Sequence, residues 1–356
     1  MRIPGNLLFQ DNVGNPVGGS NLPQQNFLIN SNFDIWQRGT SVNIVNATFQ
    51  YCADRWFDYH NAGTGGSLPI LVRSRQSLSP GEIPNSFYYT NLYTSGPGTV
   101  GSDGRGSLDQ RIEFGTRMLC GTNKKVTVSF YAKSDIPNKK LGICLEQYYG
   151  TGGSPSPSEI INGRYFVLTS NWVRYSHTFT TNTLVGKTFG TDNNDFLGLK
   201  FYYMWDTTWA TYVGDTVVET YRPGSTGNNI MIAQVVLNAG DTAATFIPRS
   251  FGEELTLCYR YYERGYCGVT SSKIIAATTA PFTLSYKIPK RLSNPTVSLL
   301  SYTGGNKIGV GPITWGTSIT AIVSSTEYGI TGEITCDGTN TGAYNGSWNY
   351  AVDAEL

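Results

Sequence analysis

Aromatic and charged side chains alternate with apolar ones along several segments of this sequence. In VTVSFYAK, residues 126 to 133, the apolar positions Val126, Val128 and Phe130 leave Tyr131 on the opposite face. The segments LDQRIEF (108 to 114), LEQYY (145 to 149) and LGLKFYYMW (197 to 205) follow the same pattern. The face away from the apolar residues then carries one set of six side chains: Arg111, Tyr131, Glu146, Tyr148, Lys200 and Tyr202.

Such a set has the chemistry that binds sugars. Aromatic ring faces flanked by charged groups and amides on one face of a sheet form the kind of groove that holds a glycan. The sequence therefore predicts a glycan-binding face made of these six residues. Two alternatives stay open at this point, namely that the face is solvated or that another subunit covers it. The prediction also depends on strand register, because a shift of one residue exchanges the two faces of a strand.

No catalytic motif accompanies these residues. The sequence contains no GxSxG, and His60 and His177 stand in no recognisable triad pattern. Acids such as Asp109 and Glu146 are scattered, and a glycan-cleaving site would need two of them about 5–10 Å apart. The glycine-rich GTGGSPS (150 to 156) lacks the lysine and the following helix of a phosphate-binding loop. We expect no catalytic residues and no enzymatic activity.

Charge and cysteine content narrow the class of protein. Charged residues make up 14% of the chain, and 26 Lys and Arg against 25 Asp and Glu give a net charge of +1. No overall field or run of like charge favours nucleic acid or an anionic membrane. We see no secretory signal in the first residues and no apolar run near the roughly 20 residues that span a bilayer. The six cysteines include no CxxC pair, so we expect buried free thiols and no cofactor.

Short alternating segments between clusters of Gly, Pro, Asn and Ser predict an all-β protein. Residues 1 to 25 are predicted to form an extended arm, because they hold too few apolar residues to build a core. Residues 26 to 252 are predicted to form an antiparallel sandwich. Residues 253 to 264 are predicted to form a linker helix, because the segment GEELTLCYRYYE (252 to 263) has apolar residues at helical spacing and two acids near its beginning. Residues 265 to 356 form a second, smaller β domain.

Several stretches, in their order, resemble one family. NFLINSNFDIWQRG (26 to 39) and YCADRWF (51 to 57) resemble the beginning of a jelly-roll module of bacteriophage tail-fibre and receptor-binding proteins. That module is akin to carbohydrate-binding modules. LTSNWVRYSHTF (168 to 179), NPTVSLLSY (294 to 302) and VDAEL (352 to 356) continue the resemblance, which covers residues 26 to 356.

The resemblance implies a jelly-roll sandwich, a short helix and a second β domain for oligomerisation or for the fibre tip. It implies a homotrimeric virion fibre, on head or tail, that is assembled in the host cytoplasm. Such a fibre would bind host surface polysaccharide without cleaving it. The alternatives are a purely structural decoration or connector of the capsid or tail, and a glycan-degrading tailspike. In the arm, Leu7, Leu8 and Phe9 are predicted to attach the fibre to another virion protein.

The opening motifs carry two further expectations. Trp36 and Trp56 are expected to fill the sandwich core rather than to stack on a sugar. Related carbohydrate-binding jelly rolls often hold a structural calcium, for which Asp34 is the first candidate ligand. Residues 232 to 235, IAQV, lack the acidic pair expected on the last strand, and Ca²⁺ needs six or more oxygen ligands. No metal is therefore predicted.

Overall fold

The computed structural model describes residues 25–222, 227–274, 279–300, 317–336 and 342–356. The predicted arm lies outside these ranges apart from Gln25, and so do Leu7, Leu8 and Phe9. Within the described residues, two six-stranded sheets face each other and two three-stranded sheets follow them in the chain. No helix among these residues is long and apolar enough to cross a membrane.

The first six-stranded sheet, called the back sheet, is antiparallel throughout. Its strands, in pairing order, are β1 (Ser41–Asn43), β4 (Ile70–Ser77), β5 (Tyr88–Ser95), β12 (Asn229–Ala239), β7 (Lys125–Ser134) and β10 (Val173–Thr180). The nearly continuous apolar run of residues 230 to 237 predicts a central strand, and β12 does lie inside the sheet between β5 and β7.

The second six-stranded sheet, called the front sheet, is also antiparallel. Its strands, in pairing order, are β2 (Thr48–Tyr51), β3 (Trp56–Asn61), β6 (Arg105–Glu113), β11 (Phe196–Trp205), β8 (Lys140–Tyr148) and β9 (Glu159–Val167). From β5 to β12 the chain crosses repeatedly between the two sheets, which is typical of a jelly-roll sandwich.

Strict alternation builds the core between the two sheets. Val128 and Phe130 on β7 and Leu199 and Phe201 on β11 are fully buried, as their spacing predicts. The rings of Phe130 and Phe201 meet edge to face with centroids 4.9 Å apart, so the two sheets contact each other directly.

The opening motif lies inside the sandwich. Trp36 and Trp56 are 8% and 0% exposed. Their indole N–H groups donate to the main-chain oxygens of Phe33 at 2.8 Å and of Asn30 at 3.0 Å. Both rings are therefore satisfied core residues, and the prediction for them is confirmed.

The described chain contains three short helices. They are α1 (Gly115–Leu119), α2 (Thr207–Ala210), which continues into a 3-10 turn at Thr211–Val213, and α3 (Phe251–Tyr259). A capping box begins α3: the Ser250 hydroxyl accepts from the Glu253 N–H, and the Glu253 carboxylate accepts from the Ser250 N–H. The predicted end of this helix near residue 263 is wrong, because Tyr262 already pairs with Asp353 in a strand.

The second unit consists of two antiparallel three-stranded sheets in the described residues. One contains β13 (Tyr262–Ile274), β18 (Gly342–Asp353) and β15 (Thr296–Leu300). The other contains β14 (Thr279–Ser285), β17 (Gly329–Cys336) and β16 (Thr317–Ser325).

An ion-pair cluster joins this unit to the sandwich. Arg55 pairs with Glu355, and their side chains are only 2% and 4% exposed. Arg38 lies 3.4 Å from Glu355 and 3.1 Å from Asp353, and its guanidinium stacks 3.4 Å above the Tyr262 ring. Charges buried to this extent need partners, so residues 353 to 355 complete the structure of the opening motif.

Candidate functional site

The outer face of the front sheet carries a groove of about 600 Å³. Its floor comes from alternate residues of β6, β8 and β11, because the residues between them point into the core. The strand register places Lys200 of β11 beside Asp109 of β6. The groove has the volume of a small-ligand site.

Lys200 lies at the centre of the floor between two carboxylates. Its Nζ is 2.9 Å from Asp109 Oδ2 and 3.0 Å from Glu146 Oε2. Burial lowers the pKa of Lys200, but the two carboxylates raise it further, so that it lies above its ordinary value. The floor is therefore a charged cluster in which one ammonium group pairs with two carboxylates.

One wall of the groove is an irregular segment between β11 and β12. Asp206 caps α2 by accepting from the N–H groups of Thr208 and Trp209 at 3.0 and 3.1 Å. The Trp209 indole N–H donates to Asp103 at 2.7 Å, and its ring lies 5.4 Å from that of Tyr212. These contacts hold two aromatic rings in place along one side of the groove.

The opposite wall comes from the β2–β3 hairpin. Phe49 and Tyr59 face each other across this hairpin, with ring centroids 4.7 Å apart. Phe49 is 59% exposed, although it is a large apolar side chain on a sheet face. An exposed ring of this kind beside a groove offers a flat surface for a ligand.

Arg111 closes one end of the groove. Its Nη1 donates to the main-chain oxygen of Leu356 at 2.5 Å, and its guanidinium lies 4.7 Å from the Phe196 ring. Beyond it is a second cavity of about 270 Å³, also lined by Tyr148. The Tyr148 ring stacks on Phe196 with centroids 4.6 Å apart.

The structure brings five of the six predicted residues to this one face. Four of them line the groove: Arg111, Glu146, Lys200 and Tyr202. The fifth, Tyr148, lines the adjoining cavity. Tyr202 is only 1% exposed, and its ring lies 6.0 Å from that of Trp209. Tyr202 thus supports the wall from below and offers no free ring face.

The placement of Tyr131 in this set is wrong. Its strand, β7, belongs to the back sheet, where Tyr131 packs against the outer cluster of Leu78, Ile83 and Ala233. Alternation identifies the outer side of a strand, but it does not tell which of two sheets contains that strand.

Sequence reasoning missed ten of the residues that line the groove, among them Phe49, Tyr59, Arg105, Trp209 and Tyr212. Arg105 continues the alternation of Asp109 and Arg111 along β6, so the strand period alone predicts that it lies on the same face. Trp209 and Tyr212 follow no strand period, because they lie on a short helical segment whose position depends on tertiary contacts.

Neither histidine has a catalytic setting. His60 is buried with Nε2 2.7 Å from the Tyr221 hydroxyl and Nδ1 3.3 Å from the Tyr203 hydroxyl. Burial lowers the pKa of His60 to about 3, so the ring is neutral at physiological pH. Burial also lowers the pKa of His177, whose ring packs 4.6 Å from that of Phe179.

The candidate metal ligand Asp34 accepts from the side-chain amide of Asn32 at 3.3 Å. Burial raises the pKa of Asp34 to about 6. In the part of the chain that the structure describes, no three His, Cys, Asp or Glu side chains come together as a metal site. The side chains of Cys267 and Cys336 are not among those that the structure describes. The other four cysteines are buried free thiols, as predicted: Cys52, Cys120, Cys144 and Cys258.

No protein-family model and no curated protein matches this chain. Solved structures similar to it include a CBM4 carbohydrate-binding module, at 17% identity and a TM-score of 0.29 over 59% of this chain and 98% of that one. A family 11 carbohydrate-binding module from Clostridium thermocellum, solved with a mixed-linked tetrasaccharide, is similar at 12% identity and a TM-score of 0.29, over 56% of this chain and 95% of that one. The CBM22-1–CBM22-2 tandem of Xyn10C from Paenibacillus barcinonensis shows 10% identity and a TM-score of 0.30, over 95% of this chain and 93% of that one.

Proposed function

We propose that the groove on the front sheet binds a glycan chain and does not cleave it. The observation that carries this proposal is the pair of aromatic walls, Phe49 with Tyr59 and Trp209 with Tyr212, on either side of a charged floor. A sugar ring has an apolar face, which packs on aromatic rings, and an edge of hydroxyl groups, which bind charged and polar side chains. The groove provides both kinds of partner in one place.

The floor supports binding rather than cleavage. A glycosidase needs one carboxyl group that holds a proton for the leaving oxygen and a second that acts as base or nucleophile. Here Asp109 and Glu146 both lie within 3.0 Å of the Lys200 ammonium. Both carboxylates are therefore partners of the same cation, an arrangement that suits a fixed binding floor.

Binding is tested with Phe49→Ala and Trp209→Ala, measured by calorimetry against a panel of bacterial surface polysaccharides. Each lost ring is expected to weaken binding about 3- to 10-fold, since an aromatic contact contributes about 0.5–1.5 kcal/mol beyond area burial. Phe87→Ala is the matched control, because Phe87 is 72% exposed and does not line the groove. Equal affinity in all three variants would contradict the proposal. Release of reducing ends from any bound polysaccharide would contradict its second half and favour the tailspike alternative.

We further infer that the chain is a homotrimeric fibre of a virion, attached through residues 1 to 25 to another virion protein. The support is the resemblance of residues 26 to 356 to phage fibre proteins, together with the low charge content of 14%. Light scattering of the full chain should give three times the mass of 39.0 kDa, and deletion of residues 1 to 25 should leave a folded oligomer that no longer joins particles. A monomer, or a truncated protein still present on purified virions, would contradict this inference.

The purely structural alternative makes a different prediction for the same oligomer. If the chain is only a decoration or connector, the groove is covered by a neighbouring subunit, and Phe49 becomes protected on assembly. Amide hydrogen exchange of β2, measured in the assembled oligomer, distinguishes the glycan-binding fibre from the purely structural one. Fast exchange favours a free groove, and protection favours architecture.

A further inference from the structure

Arg105 differs from the other two cations of the groove in its contacts. Lys200 is held by two carboxylates, and Arg111 donates to the main-chain oxygen of Leu356. The guanidinium of Arg105 has no hydrogen-bond acceptor among the described residues. The nearest carboxylate is that of Asp103, at 3.8 Å between Nη1 and Oδ1, which is beyond hydrogen-bond distance.

Aromatic rings fix the position of this guanidinium. Its central carbon lies 3.8 Å from the Trp209 ring centroid and 4.8 Å from the Tyr59 ring centroid. Contact with a ring face stabilises the cation without using its N–H groups as hydrogen-bond donors to an acceptor atom. Arg105 thus bridges the two walls of the groove while its donors remain available.

Asp103 does little to occupy Arg105. Its side chain is 63% exposed, and its Oδ1 already accepts from the Trp209 indole N–H at 2.7 Å. An exposed ion pair with this separation contributes little, since water and salt screen it. The remaining carboxylates of the groove, on Asp109 and Glu146, are both held by Lys200.

We propose that Arg105 is the subsite for the carboxylate of an acidic sugar, so that the glycan of this groove is a carboxylated polysaccharide. This inference rests on the proposed function. A guanidinium presents a planar fork of donors that matches the two oxygens of a carboxylate, and such paired hydrogen bonds are short and strong. The sugar ring would stack on the neighbouring aromatic wall while its carboxylate binds to the fork. A neutral glycan would offer these donors only hydroxyl oxygens, which form weaker hydrogen bonds with a guanidinium than a carboxylate does.

The test compares oligogalacturonate, oligoguluronate and hyaluronate fragments with the carboxyl-reduced form of each. For the chain that fits, the carboxylated form is expected to bind the native protein about 10- to 100-fold more tightly, as one charge-assisted hydrogen-bonding group supplies about 1.5–3 kcal/mol. Arg105→Gln should remove this difference, so that the carboxylated and the reduced form bind with similar affinity. Arg105→Lys should keep only part of it, because lysine retains the charge but loses the planar fork.

Asp103→Asn gives a second test that does not depend on removing Arg105. The amide oxygen can still accept from Trp209, whereas the negative charge 3.8 Å from Arg105 is lost. Binding of the carboxylated chain should strengthen about 2- to 5-fold, as expected for one screened charge near the site.

The outcomes separate this inference from the proposed function. Equal binding of carboxylated and reduced chains, both weakened by Phe49→Ala, would overturn the Arg105 subsite and leave glycan binding intact. Equally tight binding of a sulfated chain of the same length would overturn the preference for carboxylate. Loss of the carboxylate preference in Arg105→Gln alone, with Phe49→Ala weakening both forms, would support both proposals.

Discussion

A buried ion pair between Lys139 and Glu219 lies at the base of the wall that carries Trp209, and its removal should destabilise the sandwich. Lys139 is 0% exposed and its Nζ donates to Glu219 at 2.8 Å and to the main-chain oxygens of Tyr203 and Thr220 at 2.6 and 2.5 Å. Glu219 also pairs through its main chain with Trp205. Lys139 and Glu219 therefore contact the chain just before and just after the segment that forms the wall.

Lys139→Met keeps the length of the side chain and removes its charge. The Glu219 side chain, which is 6% exposed, would then be a buried carboxylate without its cation. Removing one partner of a buried pair costs about 3–5 kcal/mol, a large fraction of the about 5–15 kcal/mol that stabilises a typical domain. We expect a loss of this size in the free energy of unfolding, measured by urea denaturation and tryptophan fluorescence.

A surface ion pair supplies the matched control. Lys125 and Asp241 lie 3.0 Å apart, but their side chains are 46% and 62% exposed. Lys125→Met should therefore cost no more than about 1 kcal/mol. The double variant Lys139→Met with Glu219→Leu should recover at least about 2 kcal/mol, because no buried charge remains. A cost for Lys139→Met equal to that of the control would refute this reasoning.

Three further predictions concern single side chains. Burial raises the folded-state pKa of Asp34 to about 6, so the stability of the protein should fall as pH rises from about 4 to 6. Asp34→Asn should therefore raise the free energy of unfolding by about 1–3 kcal/mol at pH 7 but by little at pH 4. An equal effect of Asp34→Asn at both pH values in thermal or urea unfolding would contradict this. Ser250→Ala removes the N-cap of α3 and should cost about 1 kcal/mol in urea unfolding, whereas an unchanged midpoint would show that the cap is dispensable. Gly163→Ala would place its Cβ 1.9 Å from the main-chain oxygen of Ile143 and should lower the free energy of unfolding by about 1–3 kcal/mol. Gly252→Ala is the control and should cost no stability, because the space around Gly252 is open. Similar unfolding midpoints for the two variants would contradict the predicted clash.

The sandwich core follows from local pattern. A strand period of two fixes which residues share a face, so Val128, Phe130, Leu199 and Phe201 were assigned to the core from spacing alone. The same rule found Lys200 and the other floor residues, since they occupy the complementary positions of those strands.

The rest of the site depends on contacts that no local pattern encodes. Tyr131 satisfies the alternation rule, yet its strand pairs into the back sheet. Trp209 reaches the groove because Asp206 caps its helix and Asp103 accepts from its indole, and the latter partner is 106 residues away in the chain. The end of α3 is set in the same way, by the pairing of Tyr262 with Asp353. Pairing between distant segments is decided by the whole fold, so a single sequence does not display it.

The cluster of Arg38, Arg55 and Glu355 also has a consequence for synthesis. Glu355 follows Arg55 by 300 positions, so the sandwich leaves the ribosome long before its buried arginine has a carboxylate to pair with. During that interval the Arg55 charge has no carboxylate partner, so burying it in the sandwich is costly. The sandwich therefore acquires its final stability after translation of the second unit rather than before it, and contacts of such long sequence separation fold slowly.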